Sequence, residues 1–178
     1  APTRNAPFRS GKGTLYEGGI RVPLMIRWPG ITKAGSECSE LVSSQDFYAT
    51  LAEAAGHRAA DLPSHDGQNL GPLLNDPKQR LARRTLYWHY PHYHPGGATP
   101  HGAVRVGDLK LIEFYEDARV ELYDLGLDVS ETQNLAIRYP SQAKHLTDML
   151  HVWRDNVGAQ MPLENPDFDG ERAQEFTR

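Results

Sequence analysis

The chain has 178 residues, of which 23 are acidic and 19 basic, for a formal net charge of −4. That length allows one domain or two small ones. The mild acidity argues against a nucleic-acid backbone as the main partner, and no apolar stretch approaches the ~20 residues of a membrane-spanning helix. Cys38 is the single cysteine, so an internal disulfide is excluded. The chain opens Ala-Pro-Thr, with neither Met nor a charged-then-apolar leader, as expected of a processed product or a piece of a longer protein.

Residues 1–19 are polar and Gly-rich, and read as a loop. Leu24, Met25, Ile26 and Trp28 follow as a short apolar run between Pro23 and Pro29-Gly30, the punctuation of a buried strand. Residues 31–42 read as a surface loop. Ser43 or Ser44 is placed to cap a helix over 45–55, with Phe47, Leu51, Ala54 and Ala55 on one face and Gly56 at its end. Pro63, Pro72 and Pro77 then allow only short helical turns, with Leu70, Leu73 and Leu74 as a small apolar plug.

A different pattern begins near Thr85. Residues 86–90 are compatible with a strand, and 91–101 form a His/Pro/Gly loop. Val104-Arg105-Val106 and Leu109-Lys110-Leu111 flank Gly107-Asp108, a pair suited to a tight hairpin turn. A turn at Glu116-Asp117 leads into the alternating Val120-Glu121-Leu122-Tyr123. This predicts a three-stranded antiparallel meander, with 86–90 as a fourth strand. Ala143, Leu146, Leu150, Trp153 and Val157 recur at helical spacing between Pro140 and Gly158, predicting a long helix across one face of that sheet. The tail from Met161 reads as irregular.

Three constellations are candidates for chemistry. Gly11-Lys12-Gly13-Thr14-Leu15-Tyr16-Glu17-Gly18-Gly19 sets a compact cation among glycines that let backbone approach a ligand. The alternative is a solvated Lys in a flexible turn. It is not a nucleotide P-loop, because Gly13 stands where Ser or Thr must follow the Lys and Ala6 where the first Gly is needed. Trp88-His89-Tyr90-Pro91-His92-Tyr93-His94, with His101 beyond, is open to three readings: zinc ligands, a hydrogen-bonding substrate pocket, or a structural loop. Asp124 to Asn134, with Asp128 and Glu131, offers calcium-type oxygens without EF-hand spacing, and reads better as local turn caps. Acidic Glu37 and Glu40 flank Cys38 and make it a poor nucleophile. No Gly-x-Ser-x-Gly elbow is present.

As an ordered set, several of these segments resemble the type I sulfatases (the arylsulfatase family). Residues 11–23, Gly-Lys-Gly-Thr-Leu-Tyr-Glu-Gly-Gly-Ile-Arg-Val-Pro, with Trp28-Pro29-Gly30, are similar to that family's second signature. The likeness continues through Asp46–Leu51, Asp66–Leu74, Arg105–Ile112, Glu121–Leu125 and Glu131–Leu135, spanning about residues 9–168.

The resemblance implies an α+β chain that is the C-terminal part of an alkaline-phosphatase-like α/β fold. Residues 1–84 would be the end of the large α/β domain, with 20–28 one of its strands. Residues 85–178 would be a small antiparallel sheet of about four strands packed by the long C-terminal helix. It implies a sulfuric ester hydrolase acting on a carbohydrate or aryl sulfate, in which hydrated formylglycine attacks sulfur and calcium is bound. Lys12 would touch the sulfate and the leaving oxygen as a catalytic residue. His92, His94 and His101 would bind substrate, and Glu17 and Arg21 would orient the Lys12 loop.

The departures carry equal weight. Cys38 is followed by Ser39-Glu40-Leu41, so the Cys/Ser-x-Pro-x-Arg formylglycine motif is absent here. The family's acidic and Asp-Asn calcium ligands are absent too, so no metal ligand is assigned to this chain. The expectation is a C-terminal portion separated from its N-terminal sulfatase part and inactive alone, with self-association through the severed sheet edge. The parent is expected to be exported. The alternatives are a non-catalytic module binding anionic sugars or a partner protein, and part of a related phosphate or phosphonate ester hydrolase.

Overall fold

The computed structural model describes residues 4–82 and 85–168. The expected division at residue 84, the first three residues of the N-terminal loop and the end of the irregular tail lie outside them. Two compact units are present, one formed by Ala1–Val22 with Thr85–Arg178 and the other by Pro23–Arg84.

The first unit is built on four antiparallel strands in the order β1–β2–β3–β4: β1 (Thr85–Tyr90), β2 (His101–Val106), β3 (Leu109–Phe114) and β4 (Val120–Asp124). Consecutive strands pair, β2 with β3 and β3 with β4 across short turns and β1 with β2 across the longer 91–100 loop. Val106 pairs with Leu109 across the two-residue turn, where Gly107 takes a φ of +59°. That left-handed conformation is open to glycine without steric cost. The register aligns Val104, Leu111 and Leu122 across three strands. This apolar row meets Ala143, Leu146 and Leu150 of the long helix α4 (Pro140–Asn156), which all lie on one helical face. Leu111, Leu122 and Leu150 are fully buried, each contributing about 1.5–3 kcal/mol of hydrophobic stabilisation. Trp153 stacks on Tyr87 at a centroid distance of 5.0 Å. Val157, expected on the same face, is exposed, one position past the end of the helix.

Because side chains alternate along a strand, the neighbouring residues form a second set of rows on the opposite face. Ala103, Ile112 and Glu121 align there, as do Arg105, Lys110 and Tyr123, and His101 with Phe114. This face is also covered, since Leu15 joins Ala103, Ile112, Tyr123 and Leu125 in a second buried cluster. The cover is the segment around Lys12, which includes the four-residue helical turn α1 (Glu17–Ile20). A sheet covered on both faces has little polar-apolar alternation, which is why His101–Val106 reads as an almost continuous buried stretch.

The second unit carries α2 (Asp46–Ala54), a 3-10 turn (Ala59–Asp61) and α3 (Gly71–Asn75). Leu70, Leu73 and Leu81 form its core, with Ile26, Val42, Phe47 and Leu74 packed around them. The cap of α2 differs from expectation. The Asp46 carboxylate accepts the Ser43 N–H at 2.7 Å and the Gln68 N–H at 2.8 Å, and no serine side chain caps the helix. Its buried face is Asp46, Ala49 and Thr50, while Leu51 is exposed. Thr50 Oγ1 bridges the Asp46 carbonyl and the Leu70 N–H, so polar anchors select this face over the more apolar one.

Residues 23–28 do not form the expected strand. They join no ladder among the described residues, and Leu24 and Met25 are exposed. An extended segment needs a neighbouring strand to satisfy its backbone groups. No helix among the described residues is long and apolar enough to cross a membrane.

Candidate functional site

Three residues of the Gly11–Gly19 segment, Leu15, Tyr16 and Glu17, fix it to the sheet. Leu15 donates its N–H to Nε2 of His101 at 3.0 Å. The Tyr16 hydroxyl donates to the Glu121 carboxylate at 2.6 Å, and Tyr123 donates to the same carboxylate oxygen at 2.7 Å. Glu17 is buried and accepts from Lys110 Nζ at 2.9 Å and from Arg105 Nη1 at 3.3 Å. Arg9, at the start of the segment, donates to the Tyr123 hydroxyl at 2.9 Å and lies 4.0 Å over the Tyr16 ring. Lys12 projects from this frame: it is exposed and makes no ion pair with the described residues.

Glycines make this close wrapping possible. A Cβ on Gly13, whose φ is +96°, would fall 2.5 Å from the His94 ring. One on Gly19 would fall 2.1 Å from the Thr14 carbonyl oxygen. Only glycine fits at either point.

The structure brings the Lys12 and His94 loops together through that Gly13 contact. The His94 ring is half-buried, and its Nδ1 accepts the Gly96 N–H at 3.0 Å. His92 is exposed and meets the Tyr90 ring edge-on at 5.5 Å. His101 departs from its expected place in a substrate pocket. It is 2% exposed, and both ring nitrogens are taken by the protein: Nε2 by Leu15 N–H and Nδ1 by the Thr99 carbonyl at 2.6 Å. Nε2 accepts, so Nδ1 carries the proton and the ring is neutral. Burial pushes its pKa below the ordinary histidine value, against the smaller upward pull of the Thr99 carbonyl. His101 therefore supports the loop from below. Glu17 and Arg21 form an ion pair at 3.6 Å, and Arg21, which is exposed, also lies 4.6 Å over the Phe8 ring.

Several residues of this frame escaped the sequence reading. Arg105, Lys110, Glu121 and Tyr123 lie on the second face of the sheet. The one available signal was that three of them are charged residues inside strand patterns. Burial alone would raise the Glu121 pKa, but the Tyr16 and Tyr123 hydroxyls and the guanidiniums of Arg119 and Arg9 outweigh it and hold the carboxyl below the usual range. Burial, then hydrogen bonding to Glu121, raises both tyrosines. Glu131, read as a turn cap, is fully buried. Its Oε2 accepts the Glu17 N–H at 2.6 Å, and its Oε1 lies 2.9 Å from Lys110 Nζ. Burial raises its pKa, with Lys110 as the main opposing influence.

Asp128 does cap its own turn, accepting the Thr132 and Gln133 N–H groups at 2.8 Å each. Among the described residues, no group of three or more His, Cys, Asp or Glu is arranged to hold a metal ion. The described residues therefore do not by themselves fit the calcium site that the resemblance implies for the parent.

Comparison with known proteins agrees with this architecture. The family described as N-sulphoglucosamine sulphohydrolase, C-terminal, matches residues 10–156. A sulfatase of Formosa agariphila is 39% identical over 169 residues, covering 85% of this chain and 30% of that protein. An N-acetylglucosamine-6-O-sulfatase of Bacteroides thetaiotaomicron is 34% identical over 170 residues, covering 90% of this chain and 30% of that protein. The solved structure of BT4656 in complex with its substrate D-glucosamine-2-N,6-O-disulfate superposes with a TM-score of 0.60 at 31% identity, covering 72% of this chain and 27% of that one. This chain thus spans about 30% of the length of these relatives. Its four-stranded antiparallel sheet, long C-terminal helix and Gly-Lys-Gly-Thr segment place it in the sulfatase family, as a C-terminal portion.

Proposed function

We propose that this chain completes the active site of an enzyme that hydrolyses sulfate esters of carbohydrates or aryl alcohols, with Lys12 as its catalytic contribution. The observation that carries this reading is the contrast within one loop. Lys12 is exposed and without an ion-pair partner among the described residues, while Arg9 before it and Leu15, Tyr16 and Glu17 after it are anchored. Holding a lysine this way costs conformational entropy, which has a purpose if the ammonium must meet a ligand at a set place.

In sulfate ester hydrolysis the bond between sulfur and the alcohol oxygen breaks, and negative charge grows on the leaving oxygen. A fixed ammonium beside that oxygen is worth more in the transition state than in the ground state. Lys12 has the charge and reach to supply it. His94, in van der Waals range of Gly13, and His92, exposed in the same loop, are proposed to recognise the substrate on either side of the sulfate. Glu17 and Arg21 are proposed to orient the loop. The nucleophile and the calcium belong, on this reading, to an N-terminal sulfatase part, so the 178-residue chain alone has no turnover. When bound, calcium would supply further charge stabilisation to the sulfate; no step of this chain depends on its geometry.

The test is Lys12→Ala in the complete enzyme that contains this chain, assayed on 4-nitrophenyl sulfate and on glucosamine 6-sulfate. Loss of one transition-state charge contact predicts a kcat lower by about 10²–10³-fold. Unchanged kcat on a substrate that the parent enzyme turns over would remove Lys12 from the mechanism.

A further inference from the structure

Glu131 holds the Lys12 loop at two points, one on each side of the lysine. Its backbone carbonyl accepts from Arg9 Nη1 at 2.8 Å, and its carboxylate accepts the Glu17 N–H at 2.6 Å. Its other carboxylate oxygen lies 2.9 Å from Lys110 Nζ, and the same ammonium donates to Glu17 at 2.9 Å. Glu17, Lys110 and Glu131 are each 1% exposed or less. Glu131 has a φ of +52°, a left-handed conformation uncommon for a residue other than glycine. One lysine near the start of β3 therefore bridges two buried carboxylates, one from the loop and one from the segment after β4.

We infer that Glu131, Lys110 and Glu17 form a buried positioning device that sets where Lys12 stands. The inference rests on the catalytic reading of Lys12 given above. Its physical basis is the poor return of buried ion pairs on stability alone. Well-packed apolar residues of similar volume commonly stabilise a fold as well or better. What the charges add is a defined geometry: Lys110 Nζ is ion-paired with both carboxylates, donating a hydrogen bond to Glu17 and facing an Oε1 of Glu131 that has no hydrogen-bond partner among the described residues, and Glu131 reaches its other partners only when Arg9 and Glu17 occupy their observed positions. A sliding or lifting of residues 9–17 would strand a buried charge. Leu, Met or Phe in these places would fill the volume but allow the loop to shift, and a misplacement of about 1 Å at a catalytic group can lower the rate about 10²-fold.

The experiment pairs two readouts on Lys110→Met and Glu131→Gln. Amide hydrogen exchange of the full chain is expected to accelerate at residues 10–19, with Val104, Leu111, Leu122 and α4 unchanged. In the complete enzyme, with 4-nitrophenyl sulfate as probe, each variant is expected to lose about 10²-fold in kcat. The same substitution placed on Lys12→Ala is expected to change kcat less than about twofold, since the positioned group is already gone. A merely structural role would lower kcat equally with or without Lys12 and raise exchange throughout the sheet, and that result overturns the inference. So does unchanged exchange in the loop. If Lys12→Ala itself leaves kcat intact, the catalytic reading fails instead, and the exchange data alone decide whether the triad fixes the loop. Should Lys110→Met not fold, Glu131→Gln, which keeps shape and an acceptor for the Glu17 N–H, carries the decision.

Discussion

The Leu15 N–H donates to Nε2 of His101 at 3.0 Å, so a loop amide three residues from Lys12 is bound to a buried imidazole on β2. This bond exists only while His101 is neutral, because a protonated Nε2 has no lone pair to offer. His101 stacks on Phe114, meets Tyr90 edge-on and donates its Nδ1–H to Thr99, and no acid among the described residues pairs with it to favour the charged form. With its folded pKa held below the ordinary value of 6.5, the unfolded chain binds the proton more readily. The stability from this site is therefore complete above about pH 6.5 and is lost as pH falls through the folded value. Protection of the Leu15 amide, its exchange rate corrected for the intrinsic pH dependence, is expected to fall on acidification below pH 6.5, and His101→Phe is expected to abolish that change in protection. The variant leaves the Leu15 N–H unpaired and costs about 1–3 kcal/mol in urea unfolding at pH 7.5.

Glu121 titrates with the same sign, in a lower window. Two tyrosine hydroxyls donate to it and two guanidiniums stand nearby. Its folded pKa lies below its unfolded one, so the stability it contributes is present above about pH 4.5 and disappears as pH falls through the folded value. Glu121→Gln is expected to lower stability by about 1–3 kcal/mol at pH 7 and by less at a second pH taken below 4.5, as the native carboxyl takes up its proton. Urea unfolding at the two pH values measures the difference. Equal losses at both would mean the carboxylate charge is not what the tyrosines stabilise.

The meander and the long helix were legible because their signals are local. A two-residue turn at Gly107-Asp108 fixes the pairing of β2 with β3, and a 3.6-residue period between Ala143 and Leu150 fixes the buried face of α4. The Gly-Lys-Gly-Thr segment was legible as a motif, but its seat was not. That seat consists of Arg105, Lys110, Glu121 and Tyr123; cross-strand register sets Arg105, Lys110 and Tyr123 side by side, and Glu121 lies two residues from Tyr123 on β4. In sequence each is a polar residue inside a strand, the usual mark of a solvated face, and nothing in its spacing says that another segment covers it. His101 was misassigned for a related reason: a histidine beside a His-rich loop has the composition of a binding site, whereas its burial comes from pairing with Phe114 and cover by Leu15. The strand expected at 23–28 failed because apolar content and proline punctuation describe what a strand is made of, not whether a partner is there.

Gly13 gives a separate handle on the coupling of the two loops. Its φ of +96° is unfavourable for any L side chain, and a methyl there would collide with the His94 ring. Gly13→Ala is expected to cost about 1–2 kcal/mol from the backbone alone and to displace His94 as well. Adding His94→Ala opens the space without curing the backbone strain. Thermal unfolding of the two variants should therefore show the double mutant recovering part of the loss, with the backbone portion remaining. Full recovery would show that the steric contact is the whole effect, and no recovery that it has none.

The exposed run at Val22, Leu24 and Met25 sets the association state expected of the chain. The exposures are 76%, 45% and 91%, while Ile26 turns inward against Leu70, Leu73 and Leu81. An extended apolar segment with unpaired backbone groups is a template for pairing with another chain. In the complete enzyme the proposed partner is the large sheet of the N-terminal part, and in the 178-residue chain alone the available partner is a second copy. Sedimentation equilibrium of the chain is expected to show concentration-dependent dimers or larger species. Leu24→Glu with Met25→Glu should shift them to monomer, because two like charges on each of two facing segments repel while the Ile26 contact is untouched. A chain that sediments as a monomer at every concentration would show that this run is satisfied within its own fold, and the severed-edge reading of residues 20–28 would fall with it.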